Sequence, residues 1–113
     1  MSDYTLKELQ ELVNEWITTK GVRYFSELTN LGVLMEEVGE LARIMVRRYG
    51  DQSFKSGEDP NALADELADV LFVLVCIANQ TGVNLQEAME AAIAKRNSRD
   101  ADRHANNPKL KSK

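Results

Sequence analysis

Two short stretches of the sequence place carboxylates among apolar residues: LMEEVGELARIM at 34–45 and ALADELADVLFVLVCIA at 62–78. The acids in these stretches are Glu36, Glu37, Glu40, Asp65, Glu66 and Asp69. Residues three apart on a helix project from one face, so each stretch offers a pair of acids to one side. The pairs are Glu37 with Glu40 and Glu66 with Asp69, while Glu36 points about a quarter-turn away.

A pair of this kind needs a cation if it is desolvated, and its surroundings indicate desolvation. Val33 and Ile44 bracket the first pair, and Ala62 and Val73 bracket the second. Carboxylates beside apolar side chains are costly unless they are protonated or matched by positive charge. Mg²⁺ prefers oxygen ligands and often combines a few carboxylates with substrate phosphates. The two stretches therefore predict a magnesium site, provided that their helices pack antiparallel as neighbours.

Two other interpretations of the acids remain open at this point. They can be a solvated stripe on a non-catalytic helical interaction module, or they can bind a metal in a nucleotide-sensing module that carries out no turnover. A ferritin-like di-iron site is disfavoured, because it requires Glu-x-x-His pairs. The single histidine, His104, has no such spacing.

The order of the acidic motifs resembles a known family. EEVGE at 36–40 followed by ELAD at 66–69 is similar to the E-E-x-x-E and E-x-x-D signature of the MazG-like nucleoside triphosphate pyrophosphohydrolases, all-α relatives of the dimeric dUTPases. The resemblance covers about residues 5–99. It implies an enzyme that cleaves nucleoside triphosphates between the α and β phosphates and releases monophosphate and pyrophosphate, often to clear unwanted nucleotides.

The resemblance also implies roles for particular residues. Mg²⁺, with Mn²⁺ as a substitute, would be bound by four acids: Glu37, Glu40, Glu66 and Asp69. Glu36 would act beside them as the catalytic group that assists the attacking water.

Basic and amide residues near the end of the last helix hold the phosphates in this family. The residues in the matching position here are Lys95, Asn97 and Arg99, although their spacing is compressed relative to the family pattern. Solvated cations at a helix C-terminus are the alternative interpretation. Lys55 is a further candidate, as a lid over the phosphates.

The base pocket is predicted from aromatic residues that precede the first motif. Trp16, Tyr24 and Phe25 lie where relatives contact the base, although Trp16 also fits the apolar stripe of the first helix. Asn30 either reads a base edge or caps the second helix, and capping is the preferred interpretation.

Periodicity and capping residues predict the elements that position these groups. The expected helices span about 6–19, from 26 or 30 to 49, 60–81 and 84 to about 97. The expected caps and stops are a Thr5–Glu8 capping box, Gly50, Asp59 with Pro60 at the first helical position, Gly82, and an Asn84–Glu87 capping box. The run VLFVLVCIA also fits a buried strand, but its continuity with the preceding pattern favours helix.

The totals fit one small domain. The chain has 113 residues, 43% of them hydrophobic, and a net charge of −4, which disfavours nucleic-acid and membrane partners. We predict an all-α bundle of four to five helices of the MazG-like type over residues 1–99, followed by a polar, flexible tail over 100–113. Because residues 70–78 are apolar on all sides, we expect a homodimer or homotetramer. The lone Cys76 and the absence of a secretory signal pattern predict a cytoplasmic protein.

Overall fold

The computed structural model describes residues 3–111, and all regular structure within that range is helical, without a strand. Its elements are α1 (Leu6–Thr19), α2 (Glu27–Tyr49), α3 (Leu63–Thr81), α4 (Leu85–Lys95), a π-helical turn (Arg96–Asp100), α5 (Ala101–Ala105) and α6 (Pro108–Lys111). The all-α prediction is confirmed, and the apolar run at 70–78 is helix rather than strand.

Local hydrogen bonds fix the starts of the first two helices. The Glu8 amide donates to Thr5 Oγ1 at 3.1 Å and the Thr5 amide donates to Glu8 Oε1 at 2.9 Å, so the predicted capping box is present. These bonds lower the pKa of Glu8. In α2 the cap is Ser26, whose Oγ accepts from the Thr29 amide at 3.1 Å. The preferred assignment of Asn30 as the cap is therefore wrong, since Asn30 lies inside the first turn and is buried.

The third helix begins later than predicted and ends as predicted. Asp59 does not cap it, because its Oδ1 accepts from the Asn61 amide at 2.8 Å within a turn that spans 60–62. Helical geometry starts only at Leu63, without a side-chain cap. At the other end Gly82 adopts φ 74°, a left-handed conformation that glycine tolerates best, and the Val83 amide donates to the Ala78 carbonyl at 2.9 Å.

Helix α3 is the centre of the packing. Helix α1 contacts it on one side, where Val13, Val75 and Cys76 form a buried cluster, and α2 contacts it over a longer seam. Asn30, near the start of α2, meets Gln80, near the end of α3, so the two helices run antiparallel. This is the arrangement that the acidic motifs require.

The C-terminal part forms an arm, which comprises residues 84–111. Asn84 caps α4 by accepting from the Glu87 amide at 3.1 Å, although Glu87 makes no reciprocal bond. The arm is bent by 106° relative to α3 and packs mainly on α1. Its helical course continues beyond 99 to Ala105, past the predicted start of an irregular tail. The flexibility of that tail stays a prediction.

None of the single helices in residues 3–111 has the length and apolar composition needed to cross a membrane. Within that range one pair of helical segments meets the condition of length and composition when taken together, α3 with Leu85–Ala105 of the arm, across a bend of 106°.

Candidate functional site

The seam between α2 and α3 brings three of the predicted metal ligands together. Oxygen atoms of Glu37, Glu66 and Asp69 all lie within 4.8 Å of one another. Glu37 and Glu66 are half-buried, and Asp69 is exposed. The grouping follows from antiparallel packing, because the two helical faces that carry the acids meet at this level of the seam.

The electrostatics of this acid cluster (Glu37, Glu66 and Asp69) oppose full ionisation. Desolvation by burial raises the pKa of Glu66 most, and the charges of Asp69 and Glu37 raise it further. The pKa of Glu37 is raised by the same causes, burial first and then Asp69. Glu66 Oε2 is buried without a hydrogen-bond partner among residues 3–111. The ion pairs in the described part of the chain do not include these three acids.

The other acids of the motifs lie around the cluster. Glu40 is exposed and its oxygens are outside the three-residue group, yet its charge raises the pKa of both Glu37 and Glu66. Glu36 is exposed and also raises the pKa of Glu37. Asp65, which we did not predict as a site residue, raises the pKa of Glu66. A divalent cation would relieve all of these repulsions, and the oxygen donors suit a hard ion.

A cavity of about 350 Å³ lies along the same seam. It is lined by Trp16, Ile17, Gly21, Arg23, Tyr24, Phe25, Asn30, Val33, Phe72, Val73 and Cys76. Val33 precedes Glu37 by four residues and Val73 follows Asp69 by four, so the cavity begins about one helical turn, ~5.4 Å, from the acid cluster. The Trp16 and Phe72 rings meet edge to face, with centroids 6.0 Å apart.

Segment 21–25 forms one wall of this cavity. Hydrogen bonds between Tyr24 and a series of side-chain amides hold this wall in place. Tyr24 donates its hydroxyl to Asn14 Oδ1 at 2.8 Å and accepts from Asn79 Nδ2 at 3.0 Å. Burial raises the pKa of Tyr24. Asn79 also accepts from Gln10 at 3.0 Å, which ties α1 to α3. Val22 has φ 73°, an uncommon conformation for a β-branched residue, which costs roughly 1–3 kcal/mol.

Asn79 and Gln80 were missed by the sequence reasoning, as was Arg23, which lines the cavity and donates to the Tyr24 carbonyl at 2.8 Å. The available signal was two adjacent amides directly after the most apolar run of the chain. Such amides must find partners when a helix is packed on several sides.

Segment 50–62 is fastened to α2 beside the acids. Glu58 accepts from Arg43 Nε at 2.7 Å and from the Lys55 amide at 2.6 Å, and its other contact is Arg47 Nε at 3.9 Å. The Lys55 amide and the Arg43 guanidinium lower the pKa of Glu58. Arg47 is largely buried, and within the part of the chain that the structure describes its Nε has no hydrogen-bond partner. Lys55 itself is exposed, and its predicted role as a lid stays a prediction.

The remaining predicted phosphate ligands lie on the arm. Lys95 and Arg99 line a separate cavity of about 260 Å³, and Asn97 is exposed within the π-helical turn. Arg99 pairs with Asp100 at 3.4 Å. The arm packs mainly on α1, so the fold of one chain does not gather these residues around the acid cluster.

Comparison with known proteins defines the class to which this fold and site belong. The MazG nucleotide pyrophosphohydrolase domain family matches residues 25–104. The YpjD protein of Bacillus subtilis (strain 168) is 45% identical over 103 residues, which are 91% of this chain and 93% of that protein. YvdC of the same organism is 29% identical over 93 residues, 76% of this chain and 87% of that protein.

Solved structures agree with this match. The crystal structure of B. subtilis YpjD has a TM-score of 0.74 and 43% identity, covering 84% of this chain and 97% of that chain. The crystal structure of the Bacillus-conserved MazG protein, a nucleotide pyrophosphohydrolase, has a TM-score of 0.73 and 36% identity, covering 90% of this chain and 99% of that chain. The chain therefore belongs to the MazG nucleotide pyrophosphohydrolase family and is a hydrolase acting on phosphoanhydride bonds.

Proposed function

We propose that this protein is a Mg²⁺-dependent nucleoside triphosphate pyrophosphohydrolase that cleaves between the α and β phosphates. Glu37, Glu66 and Asp69 hold the ion, and Glu40, one turn along α2, completes the ligand set. Mn²⁺ substitutes for Mg²⁺. The observation that carries this proposal is the convergence of three carboxylates on the helical seam, with Glu66 Oε2 buried and unpartnered.

A divalent ion held by these carboxylates would neutralise the phosphate oxygens and lower the pKa of a bound water. The carboxylates themselves fix the place on the seam where positive charge is favoured. Water adds to the α-phosphorus, the α–β bridging bond breaks, and pyrophosphate leaves. Glu36 is exposed on the polar side of α2 next to Glu37 and takes the proton of the attacking water. Rate enhancement comes mostly from positioning and charge stabilisation.

The cavity beside the acid cluster receives the nucleobase. Its position one helical turn along the seam leaves the sugar and phosphates to extend toward the acids. Trp16 and Phe25 offer aromatic faces at its wall, and Asn30 offers a buried amide. These residues suit a flat heterocycle with a polar edge.

Self-association is part of the proposal, as a homodimer or homotetramer. Large apolar side chains on α2 and α3 are exposed in the single chain, among them Met35 at 65%, Tyr49 at 66% and Leu67 at 51%. An apolar groove of about 510 Å³ lies between Leu41, Met45, Tyr49, Leu63 and Leu67. Contiguous exposed apolar surface of this kind marks an interface. In the assembly the basic arm of one chain supplies Lys95, Asn97 and Arg99 to the phosphates held by another.

The biological role that fits this reaction is removal of unwanted nucleotides from the cytoplasmic pool. Neither nucleic acid nor a membrane is needed as a partner.

Turnover of nucleoside triphosphates with Mg²⁺, resolving pyrophosphate from orthophosphate, tests the reaction. Glu66→Gln and Asp69→Asn should each lower kcat/KM by at least about 10-fold, because loss of a ligand costs no less than loss of a supporting group. The matched control is Glu90→Gln, an exposed acid of α4, which should retain wild-type turnover. Release of orthophosphate alone, or full activity of Glu66→Gln, would refute the assignment.

A further inference from the structure

Asn30 is a buried polar residue that faces the cavity rather than a helix end. Asn30 is 5% exposed, and it lines the 350 Å³ cavity together with Trp16 and Phe25. Buried amides normally have all of their hydrogen-bonding groups satisfied. The bonds of Asn30 therefore show which of its groups are left for a ligand.

A fixed backbone group sets the orientation of this amide. Gln80 lies 2.5 Å from the Phe25 carbonyl, which can only accept, so the Gln80 atom that faces it is Nε2. Gln80 Oε1 consequently faces Asn30 and accepts from Asn30 Nδ2 at 2.7 Å. The relay Phe25–Gln80–Asn30 thus removes the usual ambiguity between the nitrogen and oxygen of an Asn side chain.

The relay leaves Asn30 with one acceptor and one donor. Oδ1 makes no hydrogen bond with residues 3–111, and it keeps a small exposed surface, since the fully buried polar atoms without a partner in that range are Arg47 Nε and Glu66 Oε2. Asn30 as a whole is 5% exposed and lines the cavity, which puts this small exposed surface beside the cavity. Nδ2 has a second hydrogen, because Gln80 uses only one.

We propose that Asn30, oriented by Gln80, makes the enzyme prefer bases that present an amino donor beside a ring-nitrogen acceptor, as cytosine and adenine do. This inference rests on the proposed function, because it places the base in the cavity. Oδ1 accepts from the exocyclic amino group and the second Nδ2 hydrogen is donated to the ring nitrogen, the pairing that Asn makes with adenine in DNA recognition. Uracil and thymine present a carbonyl and a ring N–H instead. The base carbonyl then faces Asn30 Oδ1, so two acceptors meet, and the ring N–H faces the Nδ2 donor. Both buried groups of Asn30 stay unpaired.

CTP and UTP are the decisive substrates, because they differ only at this edge. For the wild type we expect kcat/KM for CTP to exceed that for UTP roughly 10- to 100-fold, as a good bidentate pair discriminates. In Gln80→Met the relay is lost, so the Asn30 amide can rotate and exchange the positions of Oδ1 and Nδ2. The ratio of kcat/KM for CTP to that for UTP should therefore fall toward one, while hydrolysis of UTP does not slow. Asn30→Ala should also abolish the preference. If Asn30→Ala does not fold by circular dichroism, Gln80→Met alone decides.

The matched control is Asn61→Ala. Asn61 is an exposed asparagine of segment 50–62 that belongs to neither the cavity lining nor the relay, so this variant should keep the CTP/UTP ratio of the wild type. An active wild type with a ratio near one, or an unchanged ratio in Gln80→Met, overturns the inference.

Equilibrium binding of CMP and UMP separates this inference from the reaction. Calorimetry measures the binding of each monophosphate to the metal-free protein, so the result does not depend on turnover. Tighter binding of CMP that is lost in Gln80→Met supports the selection even if no triphosphate is hydrolysed. Equal binding of the two monophosphates counts against it.

Discussion

The carboxyl group of Glu66 lies where burial and four neighbouring acids all oppose its ionisation. Among residues 3–111, its Oε2 has no hydrogen-bond donor to offset the loss of water. Glu40, only one turn from Glu37, is exposed instead, and it belongs to the same family motif. Acids of one motif therefore contribute differently: those on the seam are electrostatically strained in the metal-free protein, and those beside it are solvated.

Glu66→Gln should stabilise the metal-free protein at neutral pH. Because the folded-state pKa of Glu66 is raised above its usual 4.5, the folded protein holds this proton to a higher pH than the unfolded chain. The wild type then loses stability as pH rises from 4.5 through the raised pKa, and it keeps its full stability below 4.5. Glutamine does not titrate, so Glu66→Gln does not lose this stability as pH rises. Urea unfolding in EDTA should show the variant to be the more stable at pH 7, with the difference fading below pH 4.5.

Mg²⁺ should reverse this order. A ligand at 100 times its Kd stabilises the folded state by about 2.7 kcal/mol, and only the wild type has the full ligand set. Glu90→Gln serves as the control and should follow the wild type in both buffers. Equal stabilisation of wild type and Glu66→Gln by Mg²⁺ would contradict the metal site at these residues.

At the scale of the elements, segment 50–62 is held by one acid rather than by helical packing. Glu58 joins the backbone of Lys55 to the guanidinium of Arg43 on α2. Its pKa is lowered, so this contact contributes stability above the usual value of 4.5 and loses it as pH falls. The segment connects the two helices that carry the acids.

Glu58→Gln should loosen this segment without unfolding the bundle. We expect several-fold faster trypsin cleavage after Lys55, because local opening governs access of a protease to a loop. Asp51→Asn is a change of the same chemistry at an exposed position of the segment. Trypsin should cleave this variant at the wild-type rate. Equal cleavage of Glu58→Gln and Asp51→Asn would show that the contact does not hold the segment.

The elements also show which features a sequence can predict. The cap at Thr5 and the stop at Gly82 were predictable, because each depends on bonds within a few residues. Asp59 was wrong as a cap because its side chain serves a turn first, and a local pattern cannot distinguish the two uses. Asn30 was misassigned because its partner, Gln80, is 50 residues away. The acid cluster was predictable from spacing, but the cavity needs three elements that meet only in the fold.

On the scale of the whole molecule, charge and apolar surface are both segregated. Residues 95–113 contain seven basic and two acidic residues, a net charge of +5, whereas residues 1–94 contain seven basic and sixteen acidic, a net charge of −9. The Cα radius of gyration is 17.8 Å, against about 13 Å for a compact domain of this length. The basic end of the chain, which begins at Lys95 within the arm, and the acidic remainder are complementary between copies, which gives the proposed assembly a charge pattern as well as an apolar face.

Mixing two inactive variants should restore activity if the proposed sharing of sites is right. Glu66→Gln disables the acid cluster, and Lys95→Ala with Arg99→Ala disables the arm. In a two-fold dimer with shared sites, each mixed dimer contains one site with an intact cluster and an intact arm. Random exchange at equal amounts makes half of the dimers mixed, so activity should return to about 25% of the wild type. If arm and cluster of one chain work together, no intact site forms and activity stays at the level of the separate variants. Light scattering on each sample checks the assembly, and a monomer at micromolar concentration would refute it.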